Sequence, residues 1–103
     1  MKTKDKQKCY NSGKISGLSY LEAYNNFLEA DSEIALRGYT SVNPMKECWL
    51  KPSAPWLLHM VVDVWKMLGC KAVFFQRNWA ESRGACIEFQ IALALGKDLI
   101  YQK

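Results

Sequence analysis

Four short runs of β-branched and aromatic residues alternate with three amphipathic stretches long enough to be helices. Parallel neighbours in a sheet cannot be joined by a hairpin and need a crossover. An order β-α-β-α-β-α-β with mostly short joins therefore implies a parallel sheet covered by helices on both faces. The strands are expected at Lys8 to Ser12, Tyr39 to Val42, Ala72 to Gln76 and Asp98 to Tyr101. Ligands of such sheets bind at the carboxyl ends of the strands. Three segments converge on that rim: the loop after the first strand, the loop leading into the helix that carries Asp63, and the loop leading to Glu88.

The helix ends are legible. Ser19 with Glu22 three residues later forms a capping box, and Gly38 supplies a left-handed stop. Between them Leu21, Tyr24 and Leu28 fall on one face, with Phe27, Ala30 and Ile34 beside them. Asn43-Pro44 ends the second strand, and the stretch to Pro55 carries three prolines and is expected to be a loop. Pro55 suits the first turn of a helix running through Trp56, Met60, Val64 and Met67 to Gly69. Arg83 to Leu95 is the third helix.

With 103 residues, 50% of them hydrophobic, the expectation is one domain over residues 1–103, with residues 1–7 a flexible basic N-terminus. The net charge of +4 comes largely from Lys2, Lys4, Lys6, Lys8, Lys97 and Lys103 near the ends. A near-neutral body argues against a nucleic-acid polymer as partner and leaves a small anion open. Cys9, Cys48, Cys70 and Cys86 form no C-x-x-C pair, and His59 has no second histidine, so free thiols and no metal are expected. Cys9 and Cys86 are expected to be buried, as befits a reducing cytoplasm. No apolar run is long enough to span a bilayer before His59 and Asp63 break it.

One residue resists a purely structural account. From Ala85 to Leu95 the helix is apolar except for Glu88 and Gln90. A carboxylate buried there costs several kcal/mol unless it is paired or hydrogen-bonded. Gly13, Gly17 and Gly84 sit in the rim loops, where they let backbone N–H groups approach an anion at helix N-termini. Asp63 could instead be a surface partner of Lys66, one turn on. Trp49, Trp56 and Trp79 flank the rim loops, with core packing, subunit contact and base stacking all open.

Tyr10-Asn11-Ser12-Gly13-Lys14-Ile15-Ser16-Gly17, then Asp63 within a helix, then Ser82-x-Gly84-x-x-x-Glu88 resembles the nucleoside 2-deoxyribosyltransferase superfamily, roughly from Lys8 to Gln102. Within it the chain is most similar to a small family of bacterial and phage domains of unknown function. The resemblance implies a flavodoxin-like, Rossmann-like α/β three-layer sandwich with four or five parallel strands. It also implies kinship with 2′-deoxynucleoside 5′-monophosphate N-glycosidases. By that resemblance Glu88 matches the nucleophile, Asp63 the acid that handles the leaving base, and Tyr10 the tyrosine that orients the nucleophile. Ser82 and Gly84, with the loop Gly13, Lys14, Ile15, Ser16 and Gly17, match the walls that hold substrate and phosphate. Lys14 and Ser16 depart from the serine and arginine of the monophosphate-specific branch. No cofactor is implied. The partners implied are a nucleoside or nucleotide and at least one further copy of the chain.

The chemistry is coherent on its own terms. Cleaving an N-glycosidic bond passes through an oxocarbenium-like state, which one carboxylate can trap covalently while a second acid protonates the departing base. Glu88 is expected to be kept ionised by the Tyr10 hydroxyl and a helix N-terminus, and Asp63, between Val62 and Val64, to be pushed towards its protonated form. The alternative is a non-catalytic domain that senses or sequesters a nucleotide or ADP-ribose-like ligand.

Overall fold

The structure, a computed structural model, describes residues 6–46, 50–51 and 53–103. Most of the expected basic N-terminus (residues 1–5), together with Cys48 and Trp49, lies outside the described residues. The elements run β1 (Lys8–Ser12), α1 (Tyr20–Leu36), β2 (Thr40–Val42), α2 (Trp56–Leu68), β3 (Ala72–Phe75), α3 (Arg83–Ala94) and β4 (Asp98–Tyr101), with a single 3-10 turn at Trp79–Glu81 before α3. The expected order holds, with strand ends trimmed by a residue at Tyr39 and Gln76. The sheet has four strands among the described residues, in the order β2-β1-β3-β4 and all parallel. This is a flavodoxin-like α/β arrangement.

Side chains alternate across a strand, so β1, in the interior of the sheet, serves two layers. Cys9 packs with Ala72 and Phe74 of β3 against Ala30 and Ile34 of α1. Tyr10 points the other way and joins Val73 and Phe75, Met67 of α2 and Ala92 of α3. Neighbouring Phe74 and Phe75 thus fill opposite cores, and truncating either to alanine would cost about 3–5 kcal/mol. In register, Tyr10 stands beside Val42 and Val73, and Ser12 beside Phe75 at the strand's carboxyl end.

α1 starts where the Ser19 hydroxyl accepts from the Glu22 N–H at 3.1 Å, and it stops at Gly38 with φ +90°. Its buried stripe is Ala23, Phe27, Ala30 and Ile34. Leu21, expected on that face, is 67% exposed. It lies about 120° around the helix from Phe27, and the true stripe follows the four-three-four spacing instead. Trp79 is half-buried and packs against the core: its ring lies 4.8 Å from that of Phe89 and 5.2 Å from that of Phe75. Cys9 is buried as expected, whereas Cys86 is only half-buried, beside the 3-10 turn, where its thiol approaches the Ala80 carbonyl.

Candidate active site

The carboxyl end of β1, the loops after β1 and β2, α2 and the first turns of α3 surround a cavity of about 950 Å³. Glu88 forms part of its lining. The Ser82 hydroxyl caps α3 by accepting from the Ala85 N–H at 3.1 Å, which places Glu88 in the second turn, facing the sheet. It is 4% exposed. Two hydroxyls from β1 reach it: Tyr10 Oη donates to Oε2 at 2.9 Å, and Ser12 Oγ donates to Oε1 at 2.7 Å. Each carboxyl oxygen therefore has its own donor. The pair works because Tyr10 and Ser12 are two apart on a strand and so share a face.

The ionisation of Glu88 differs from the sequence-based expectation. Burial pushes its carboxyl up from 4.5 to about 7; the hydrogen bonds from Ser12 and Tyr10 pull it down, and the nearby Asp63 charge pushes it up again. Desolvation outweighs the two hydroxyls, because neutral donors offset only part of the hydration a buried carboxylate loses. Asp63 follows its expected direction. Burial raises it from 3.8 to about 6, against the lowering effects of Lys66 and His59. Tyr10 is held well above its ordinary range by burial, then by the charges of Glu88 and Asp63, so its hydroxyl remains a donor.

The structure brings Tyr10, Gly13, Lys14, Ile15, Ser16, Asp63, Ser82, Gly84 and Glu88 to this one cavity. Gly17 is not part of its lining; with φ +88° it forms the turn in which the Leu18 N–H donates to the Ile15 carbonyl. Gly13 also has a packing reason to lack a side chain. A Cβ there would collide with the Gln76 side chain, which instead lies against the loop and donates to Asn11 Oδ1 at 2.8 Å. Gly84 admits Met60, whose sulfur would be 3.0 Å from a Cβ at that position. Two backbone N–H groups near a would-be anion are already engaged, Lys14 N–H by Asn78 Oδ1 and Ala85 N–H by Ser82. The first two residues of α3, Arg83 and Gly84, carry N–H groups with no acceptor inside the helix.

Ser12 and Asn11 were not singled out in the sequence, although strand alternation pairs Ser12 with Tyr10. Asn11 faces the other layer, donating from Nδ2 to the Phe27 carbonyl at 3.0 Å and to Asp31 Oδ1 at 2.9 Å. Trp56 lines the cavity mouth, with the Arg83 guanidinium 4.6 Å from the centre of its ring. His59 and Lys66 also line the cavity. Among the described residues no group of three or more His, Cys, Asp or Glu side chains could hold a metal ion. No helix among them is long and apolar enough to cross a membrane.

Among solved structures, the chain is similar to a 2-desoxiribosyltransferase from Leishmania mexicana, with a TM-score of 0.62 at 19% sequence identity. That likeness, which is one of fold, covers 92% of this chain and 63% of the enzyme, so this chain spans less than two thirds of its length. A search of the curated proteins found no match. The family described as Domain of unknown function (DUF4406) matches residues 7–101, and the chain belongs to it.

Proposed function

We propose that the cavity cleaves the N-glycosidic bond of a 2′-deoxynucleoside or its 5′-monophosphate, with Glu88 as nucleophile. The observation that carries this is the setting of Glu88, a buried carboxyl aligned by two hydroxyls in a cavity whose facing helix presents Asp63. In its ionised form Glu88 attacks C1′ as the bond to the base breaks. Asp63 delivers its proton to the departing base, and a glycosyl ester to Glu88 remains. Water then hydrolyses that ester, or a second base accepts the sugar. Tyr10 and Ser12 fix the carboxyl beneath the sugar. Lys14, Ser16, Ser82 and Gly84 form the side where a 5′-phosphate is held, with the free N–H groups of the α3 N-terminus.

Glu88 titrates above Asp63, so the productive form, with Glu88 ionised and Asp63 protonated, is a minority species; its population, and with it activity, peaks between the two values, near pH 6 to 7, and falls on both sides. One observation favours the alternative, a nucleotide- or ADP-ribose-binding domain: near neutrality much of Glu88 is protonated, and a neutral carboxyl can donate to a sugar hydroxyl. Chromatography of bases released from a panel of deoxynucleosides and their monophosphates decides between them. Release that disappears in Glu88→Gln supports the enzyme. Ligand binding without release, weakened by the same substitution, supports the binder. Assembly into at least a homodimer is part of the proposal.

A further inference from the structure

The aromatic rings that line the cavity are not equally available to a ligand. Tyr10 and Phe27 are each 1% exposed and belong to the packed interior, and Tyr20, at the start of α1, is stacked on Tyr24 at 5.9 Å. Trp56, the first residue of α2, is different. It is 39% exposed and borders both the cavity and an apolar groove of about 220 Å³ between α2 and α3. What covers its ring is Arg83, the first residue of α3, whose guanidinium lies 4.6 Å from the ring centre. Arg83 lines the cavity and not the groove, so it sits on the cavity side of the ring. It is also a cation without an acid. Among the described residues its side chain makes no ion pair and no hydrogen bond, whereas Lys14 is paired with Glu81 at 3.5 Å. The five N–H donors of the guanidinium are thus unspent. Its place in the helix is unfavourable as well, because a helix N-terminus carries partial positive charge and repels a cation. The fold itself gains little from an arginine at this position.

We propose that the cavity face of Trp56 is the surface on which the base stacks and that Arg83 is its placeholder: when a nucleoside 5′-monophosphate binds, the base displaces the guanidinium from the ring and the guanidinium turns to the phosphate. This rests on the reading of the cavity as a nucleotide site. The magnitudes favour the exchange. A guanidinium over an exposed indole gains roughly a two- to fivefold preference, whereas a nucleobase on an aromatic ring gains roughly five- to a hundredfold. Arg83 lies between Ser82 and Gly84, on the wall proposed for the phosphate, and its fork of N–H groups fits a phosphate in bidentate fashion. There its charge and the helix N-terminus act on the same anion rather than against each other. Trp56 and Asp63 are seven residues apart, two turns along one face of α2, so a base on the ring lies on the side of the helix that carries the acid. Selectivity follows from the exchange. A nucleoside must displace the guanidinium and receives nothing in return, whereas a monophosphate re-employs it.

Calorimetry with 2′-deoxyadenosine and its 5′-monophosphate tests this, in a Glu88→Gln background so that neither ligand is cleaved. Arg83→Ala should weaken the monophosphate about tenfold and tighten the nucleoside about two- to fivefold, because the base no longer has a cation to displace. The opposite signs are the signature, since a merely structural role would shift both ligands the same way. Trp56→Leu, with an unchanged far-ultraviolet circular dichroism spectrum, should weaken both by about tenfold. Shifts of the same sign in Arg83→Ala overturn the exchange, as does either affinity staying at its parent value. A folded Trp56→Leu that binds both ligands like its parent overturns the stacking; if that variant does not fold, Arg83→Ala alone decides. A parent that binds neither ligand overturns the exchange. The readout is binding, so the two proposals fail separately. Opposite shifts without base release by the wild type leave the exchange standing and remove N-glycosidic cleavage, and base release with shifts of the same sign does the reverse.

Discussion

The two faces of β1 each hold a carboxyl cluster, half-buried at Asp31 and buried at Glu88, and the clusters are built differently. On the α1 face Asp31 receives the Asn11 and Asn43 amides at 2.9 Å each, the Ser41 hydroxyl and the Lys46 ammonium at 3.6 Å. On the α3 face Glu88 receives two hydroxyls. The first cluster ties α1, β1, β2 and the loop after β2 together. The second leaves its carboxyl near 7. A carboxylate supplied with several strong donors acts as a structural tie, whereas one supplied sparingly in a dry setting can change protonation state near neutral pH. The two clusters share a strand, so substitutions in each should fail in different ways.

The largest expected effect is on the α3 face. Glu88→Gln should abolish turnover by about a thousandfold or more, near 4 kcal/mol in the barrier, while ligand still binds. The same substitution should stabilise the fold at pH 8. Glu88 has a folded value raised from 4.5 to about 7, so its contribution is fully present below about 4.5 and is lost as pH rises through 7. Asp63, raised from 3.8 to about 6, acts in the same direction. Thermal melts should show wild type losing stability from pH 5 to pH 8. Glu88→Gln should lose less, by of order 3 kcal/mol at pH 8. A variant that melts lower than wild type at pH 8 would mean that burial does not govern this carboxyl.

On the α1 face Asp31→Ala should cost about 3 kcal/mol in denaturant titrations, because it strands the Asn11, Ser41 and Asn43 donors. Its pH–rate profile, by contrast, should keep both limbs in place. A shifted acid limb would show that the two clusters communicate through β1.

Ser12→Ala is a finer probe of the α3 face. It removes one of the two hydrogen bonds that favour the ionised form, so the base limb should move to higher pH, with about a tenfold loss at pH 6 that shrinks by pH 8. A uniform loss at all pH values would instead mark Ser12 as a substrate contact. The smallest effect concerns the anion: a 5′-monophosphate should bind several-fold more tightly than its nucleoside in calorimetry, and the gap should close as salt rises. Equal affinities would remove Lys14, Ser82 and Gly84 from the phosphate wall.

The sequence carried the parallel order, the helix ends and the convergence of the three rim segments, because each rests on local chemistry: crossover length, a serine cap, a glycine stop. Tyr10 and Glu88 were visible through the resemblance, and the structure places them in hydrogen-bond contact. Ser12 escaped notice because serine at a strand end is common; only alternation with Tyr10 marks it. The ionisation of Glu88 was misjudged because a sequence names donors but does not show how much water burial removes. Leu21 was misplaced because two apolar stripes overlap in α1, and only packing against Phe74 and Cys9 selects the one through Ala30 and Ile34. The packing role of Gly13 was hidden because the partner that fills its space, Gln76, is far away in sequence.

The alternation along β1 also constrains how the chain can misfold. A slip of one residue in the pairing of this strand would turn Asn11 towards Glu88 and send Tyr10 and Ser12 towards Asp31 and α1. A tyrosine would then have to fit where the Asn11 amide spans to the Phe27 carbonyl, and the Gln76 side chain would lose its hydrogen bond to Asn11. Such an intermediate would carry several stranded polar groups at once, each costing about 1–3 kcal/mol. The interior strand thus carries its own proofreading: the polar residues that build the candidate site also penalise every odd-numbered shift of the strand during folding.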